Sequence, residues 1–297
     1  MGAKLILDYY TGADHYSDGD IEEEILDIVT KHKNFEKILL QDTRWPILYH
    51  LSPIRENIIN WYPFDTNSSC LEIGGGCGAI TGALCKKLRK VTTVELSKRR
   101  ATILYERHKT NNNLDIYVGN LNDIPLKEQS FDYVILNGVL EYAGMFTKTK
   151  EPYKDFLLNI KKYIKPEGKL LIAIENRFGL KYFAGAREDH TAKFFDGIEG
   201  YPEDHGIRTF GKKELEDLIA SSGLHVKDFY YPHPDYKMPL EIFSDEYLPK
   251  NFTQLLPAPN FDNDRYTLFN EKKAYQGIIE NNQFPFFANS FFVVCGA

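Results

Sequence analysis

Short apolar runs alternate along this chain with longer segments of helical period. Cys70 to Ile73, Val91 to Glu95, residues 114–118, 132–136 and 168–174 read as strands. Between them apolar positions recur at helical spacing, from Ile80 to Arg89 and from Tyr153 to Ile164, the second helix closed by a Lys165-Pro166-Glu167-Gly168 turn. Continuous apolar strands alternating with helices predict a parallel sheet covered by helices on both faces. Residues 176–210 interrupt the alternation; a helix from Gly211 to Ser222, a sixth strand from His225 to Tyr231 and a seventh from Ser290 to Val294 resume it. Upstream, residues 1–68 read as a helical cap. Ser17, Asp18 or Asp20 is placed to cap a helix from Ile21 to Lys31, whose Ile21, Ile25, Ile28 and Val29 form one stripe. Trp45 to Leu51 and Pro53 to Trp61 read as two short helices, with Pro53 suited to a first turn. The expected organisation is thus a cap, 1–68, and an α/β domain, 69–297, interrupted by insertions 176–210 and 232–288. The second insertion is rich in Pro, Asp, Asn and aromatic residues, and long loops in compact domains are functional or disordered.

Composition narrows the class. Apolar content of 43% supports a packed core, and a net charge of −6 without a block of five like charges makes nucleic acid an unexpected partner. Lys98-Arg99-Arg100 reads as a solvated helix face. Cys70, Cys77, Cys85 and Cys295 show no paired spacing, which suits buried thiols in a reducing compartment. With no signal-like segment and no long apolar run, a cytoplasmic protein without membrane insertion is expected. The chain stops soon after its seventh strand, as a piece of a longer polypeptide would.

The chemistry concentrates where the first strand turns. Glu72-Ile73-Gly74-Gly75-Gly76-Cys77-Gly78 is a tight glycine turn between strand and helix, where the backbone can pass under a ligand that a Cβ would block. Glu95 closes the next strand, placed to accept from both ribose hydroxyls. Gly74-x-Gly76-x-x-Ala79 with an acid about 20 residues on also fits the dinucleotide fingerprint. Glu72 argues otherwise: a pyrophosphate seeks helix-end amides and avoids carboxylates, whereas a cationic sulfonium tolerates them.

LEIGGGCG, VTTVEL, VGNLNDIPL, FDYVILNGVLEY and IKPEGKLLIAIEN, in that order, resemble class I S-adenosylmethionine-dependent methyltransferases, strongly over Ser69 to Glu175. The flanks WPILYHLSPIRENI, ENRFGLKYFAGAREDHT, FDGIEGY, RTFGKKEL and FYYPHPDYKMP are similar to methyltransferases found with glycosyltransferases in bacterial surface-glycan assembly. The resemblance implies a Rossmann-like fold with a seven-stranded, mostly parallel sheet whose last strand is antiparallel, and S-adenosylmethionine as cofactor. It implies that Gly74, Gly75, Gly76 and Gly78 cradle the cofactor, with Glu95 and Leu96 on the ribose and Glu72 orienting the loop or the methionine ammonium. Asn120, where the family commonly has an acid, would face the adenine amino group, with Leu121 against the ring. Asn137 and Gly138 would run beside the methionine part. Arg44 and Tyr49 lie in a segment able to cover the cofactor, Arg44 pairing with its carboxylate.

A hydroxyl acceptor needs a base, most often His or a carboxylate. Glu175, Asp189, His190 and His205 are the candidates; His190 is preferred, oriented by Asp189 or Glu141. Tyr142 and Tyr182 are expected to line an acceptor pocket, and Arg177, Lys181, Arg208 and His205 to meet a phosphate or other polar group. Asp132 and Asn137 bracket one strand without forming a carboxylate cluster, so no metal site is expected. The implied function is methyl transfer to a hydroxyl or amine of a sugar or surface-glycan precursor, with fusion to or association with a glycosyltransferase. A nicotinamide-dependent oxidoreductase and a cofactor-binding module without catalysis are the competing readings.

Overall fold

The computed structural model describes residues 2–12, 18–203, 205–259 and 264–297. Ser17, one of the three expected capping residues, lies outside them. The chain divides into two compact units: residues 1–136 with 163–168, and residues 137–162 with 169–297.

The strands, in chain order, are β1 (Lys4–Ile6), β2 (Ser69–Ile73), β3 (Lys90–Glu95), β4 (Leu114–Val118), β5 (Phe131–Asn137), β6 (Ile164–Glu175), β7 (His225–His233), β8 (Glu241–Ser244) and β9 (Ser290–Gly296). In the first unit the order is β1-β4-β3-β2-β5, every pairing parallel. The connections reverse direction between β2 and β5, and open α/β sheets bind ligands at the carboxyl ends flanking such a reversal. All five residues of β2 are buried, as a central parallel strand requires. In the second unit β9 pairs antiparallel with β6 and β7, and β8 pairs antiparallel with β7.

The mixed α/β Rossmann-like fold is therefore present, with nine strands among the described residues where the sequence pattern predicts seven. The two extra strands are too short for a period-two signal: β1 has three residues and β8 four. β1 also makes the expected helical cap partly strand, since Lys4, Leu5 and Ile6 extend the sheet beside β4. The expected turn at 165–168 is instead the start of β6. The reason is close pairing: the Tyr163 carbonyl accepts from Ser130 N and Phe131 N at 3.1 Å, and a Cβ on Gly168 would sit 3.0 Å from the Phe131 carbonyl. The second insertion begins later and holds more structure than a loop would. β7 continues to His233, and residues 234–288 contain β8 and the helices Glu271–Glu280 and Phe284–Phe287.

The helix Ile21–Lys31 has the expected bounds, although Asp20 makes no side-chain cap and Asp18 donates its backbone N–H to Glu22 Oε1 instead. Its Ile25 and Val29 pack with Ile47, Leu51, Ile103 and Cys77 in one buried cluster. Cys77 belongs to the glycine turn, so the N-terminal helices are packed directly on that turn.

Candidate functional site

In the first unit, β2 delivers the glycine turn and β3 delivers Glu95. Glu95 Oε2 accepts from Gly76 N at 2.7 Å and Oε1 from Ser97 N at 2.9 Å. The carboxylate is buried, which pushes its pKa up, while its backbone bonds and the Arg100 charge work against that rise. Each oxygen keeps lone-pair capacity beyond its one backbone bond, as ribose recognition needs. Gly76 has φ +52°, and the place of a side chain there is open, with no atom within 4 Å. Its neighbours are small for internal reasons. A Cβ on Gly75 would meet Thr93 and Leu104 at 2.3 and 2.8 Å, and one on Gly78 would meet the His108 ring at 2.9 Å. Gly74 has φ +73° and donates to the Val94 carbonyl. An open, left-handed backbone beside a carboxylate with spare acceptor capacity fits a nucleoside ligand, and the cradle is centred on Gly76.

Glu72 is committed elsewhere. Its Oε2 accepts from Thr81 Oγ1 at 2.8 Å and Thr93 Oγ1 at 2.7 Å. Burial pushes its carboxyl up to about 7 despite those bonds. It ties β2 to β3 and to the helix after the turn, and so positions the glycine turn from beneath. The Asn120 side-chain Oδ1 accepts from Asn122 N, closing a local turn, with Leu121 buried just after it. Leu96 is half-buried beside Glu95.

Arg44 does not reach the turn. Its guanidinium is half-exposed and bound by Glu24 and Asp42, each at 2.7 Å. Tyr49 packs its ring under Arg55. Sequence reasoning missed the groups that do connect the cap to the turn. Arg107 donates to the His50 carbonyl at 2.7 Å and to the Cys77 carbonyl at 3.3 Å. Arg100 is buried between Asp18 and Glu22, at 2.9 and 2.7 Å, so the basic cluster is partly core rather than a solvated face. The signal was available: Arg100, Ile103 and Arg107 share one helix face by spacing.

In the second unit, β5 ends at Asn137. Gly138 follows with φ +70° and donates to the Ala173 carbonyl; a Cβ there would meet the Tyr236 hydroxyl at 2.7 Å. The next turn carries Glu141, β6 ends on Glu175, and the loop after the helix Leu180–Phe183 carries Asp189 and His190. His190 Nε2 lies 3.5 Å from Glu175 Oε2, and its Nδ1 lies 3.1 Å from the Tyr142 hydroxyl. Burial alone would favour the neutral ring, but Glu175 raises its pKa to about 9. Burial, then the Glu175 charge, pushes Glu141 up to about 8. Glu175 itself, although buried, is held well below the carboxylate range by Lys237, at 2.6 Å, and by His190.

Asp189 does not orient His190. It accepts from the Tyr182 hydroxyl and pairs with Lys181 at 2.8 Å and Lys237 at 3.0 Å, which hold its carboxyl low against the effect of burial. Glu175 fills the place expected for it. Lys181 also binds Asp235 at 2.7 Å, and Tyr182 is buried, so neither stands open to an acceptor. Arg177 is consumed by a bidentate pair with Glu214 and a bond to the Gly197 carbonyl. Arg208 lies over Phe210 and 3.7 Å from Glu214. His205 is exposed and 3.3 Å from Glu203. Lys237 and Asp235 went unselected by sequence, although both stand in the quoted PHPDYKMP run. The cluster absent from the sequence reading forms here: one donor atom each from Glu141, Glu175 and His190 lie within 4.8 Å of one another.

Known proteins resemble the chain in sequence and in fold. Residues 71–172 match the family described as a methyltransferase domain. An uncharacterized protein of Methanocaldococcus jannaschii is 31% identical over 107 residues, 36% of this chain and 44% of the relative. The ubiquinone biosynthesis O-methyltransferase of Rickettsia bellii is 29% identical over 164 residues, 52% of this chain and 65% of the relative. The chain thus spans less than two thirds of the length of these two relatives. Among solved structures, a chain of the complex between the Haloferax volcanii Trm112 methyltransferase activator and a methyltransferase superposes with a TM-score of 0.52 at 15% identity, covering 89% of this chain and 93% of that one. An S-adenosylmethionine-dependent methyltransferase of Thermotoga maritima gives 0.51 at 17% identity, covering 88% and 97%. The fold is that of these methyltransferases, and residues 71–172 match a methyltransferase domain. Among the described residues no helix is long and apolar enough to cross a membrane.

Proposed function

We propose that the chain is an S-adenosylmethionine-dependent methyltransferase whose acceptor is a hydroxyl or amine of a small polar molecule, a sugar or surface-glycan precursor fitting best. The observation that carries the reading is the Glu95–Gly76 pairing, a buried carboxylate with spare acceptor capacity beside an open left-handed glycine. S-adenosylmethionine supplies an electrophilic methyl group with its leaving group already attached. The protein's tasks are then to hold the nucleoside through Glu95, to align the acceptor and to exclude water. Residues 176–210 and 232–288 serve the acceptor, with the N-terminal helices steadying the glycine turn through Cys77. The proton of a hydroxyl acceptor passes to the Glu141, Glu175 and His190 cluster. With its pKa near 9, His190 is protonated at neutral pH, and a base role for it alone predicts turnover that climbs toward pH 9. The O-methyltransferase named among the relatives favours oxygen over nitrogen. Buried free cysteines suit the cytoplasm, and the glycan-type flanks suit association with a glycosyltransferase.

Calorimetry with S-adenosylhomocysteine and with NAD tests the cofactor. Tight binding of the first, lost in Glu95→Ala, supports the reading; preference for NAD sinks it in favour of an oxidoreductase. Turnover of labelled cofactor against sugar, nucleotide-sugar and amine acceptors then separates an enzyme from a binding module.

A further inference from the structure

Three buried side-chain atoms of the second unit come together without a hydrogen bond among the described residues. They are Glu141 Oε2, a Glu175 oxygen and His190 Nε2. They come from three separate segments: the turn after β5, the last residue of β6 and the loop beyond it. Buried polar atoms left without hydrogen bonds carry a desolvation cost that a bound ion offsets. Lys237 holds the other side of Glu175, its ammonium 2.6 Å from Oε1, which leaves Oε2 turned toward His190 Nε2 at 3.5 Å, where a metal ion would take the place of the ring proton. The remote ring nitrogen, Nδ1, is held by the Tyr142 hydroxyl at 3.1 Å. A metal-bound imidazole is held in the same way, through the nitrogen that does not ligate.

We propose that Glu141, Glu175 and His190 form a binding site for one divalent transition-metal ion, with Tyr142 orienting the imidazole. The donor set decides the class of ion. Magnesium and calcium prefer all-oxygen shells, whereas two carboxylates with an imidazole suit manganese, ferrous iron or zinc. Bonds of about 2.0–2.2 Å need the donors drawn within about 4 Å of one another. From separations of up to 4.8 Å this takes only small side-chain rotations. Three protein donors leave coordination positions open to water or to an acceptor oxygen, the arrangement found in reactive rather than purely structural sites. Use of the ion in methyl transfer rests on the function proposed above; its binding does not.

The test uses the full chain, stripped with EDTA and titrated with manganese chloride, free Mn2+ being read by electron paramagnetic resonance, and with zinc chloride against a chromophoric chelator. A saturable one-to-one site is expected. Glu141→Gln and His190→Ala should each weaken it at least about 10-fold, and Tyr142→Phe about 10-fold, as loss of an outer partner does. Glu95→Ala should keep the metal while losing S-adenosylhomocysteine, so failure of one reading is distinguishable from failure of the other. Circular dichroism confirms folding; should His190→Ala unfold, the near-isosteric Glu141→Gln decides alone. No saturable site, or one unchanged in Glu141→Gln, overturns the proposal.

Discussion

The two units bury carboxylates by opposite means. In the first, no cation among the described residues lies within ion-pair distance of Glu72 or Glu95; two threonine hydroxyls satisfy Glu72, and backbone N–H groups satisfy Glu95, with Arg100 acting on it only at longer range. Their pKa values rise, because hydrogen bonds recover only part of the lost hydration. In the second unit Glu175, Asp189 and Asp235 are set against Lys181, Lys237 and His190, and Glu175 and Asp189 are held low by direct charge. A carboxylate bound by neutral donors stays free to accept from a polar ligand. One locked to ammonium groups builds a rigid wall, in which Glu141 Oε2 and His190 Nε2 are left without hydrogen bonds among the described residues.

The largest effect should come from breaking the charge-compensated side. Glu175→Ala leaves buried His190 without that carboxylate and Lys237 with the Asp189 pair, and removing one member of a buried ion pair costs about 3–5 kcal/mol. Urea denaturation should show that loss; a change below about 1 kcal/mol, the scale of an exposed pair, would mean that water reaches the cluster. On the neutral side, Glu95→Ala should leave stability nearly intact but weaken S-adenosylhomocysteine. A hydrogen bond to a charged group contributes about 1.5–3 kcal/mol, a loss of roughly 10- to 150-fold in affinity.

Glu72 sharpens the contrast through pH. Its folded pKa of about 7 lies above the usual value, so its contribution is complete below about pH 4.5 and is lost as pH rises through 7. Glu72→Gln keeps an acceptor for the threonines without the titration. The variant should gain on the parent by an amount on the order of 3 kcal/mol between pH 4.5 and 8, read as diverging melting temperatures. Parallel curves would mean that Glu72 is charged throughout. The smallest expected change is in Gly76→Ala: a left-handed alanine costs about 1–2 kcal/mol, with no steric clash inside the protein. A much larger loss of S-adenosylhomocysteine affinity than of stability would place the ligand against that backbone.

What the sequence determined by itself is the run of parallel strands and the glycine turn with Glu95 after it. Fully buried strands write themselves as apolar runs, and the glycine turn and Glu95 are local features, fixed by backbone sterics within a stretch of 26 residues, 70–95. Tertiary structure decided everything that depends on which polar groups meet. Arg44 could equally have faced a ligand or Glu24, and Asp189 could have served His190 or Lys181; only packing chose. The strands Lys4–Ile6 and Glu241–Ser244 exist because a neighbouring strand offers its edge, not because three or four residues carry a period. Glu141, Glu175 and His190 span 50 positions, 141–190, and no spacing rule brings them within 4.8 Å. Periodicity reports burial along one segment, whereas a site of convergent charges is a property of several segments at once, and its energy is set by distances that appear only after folding.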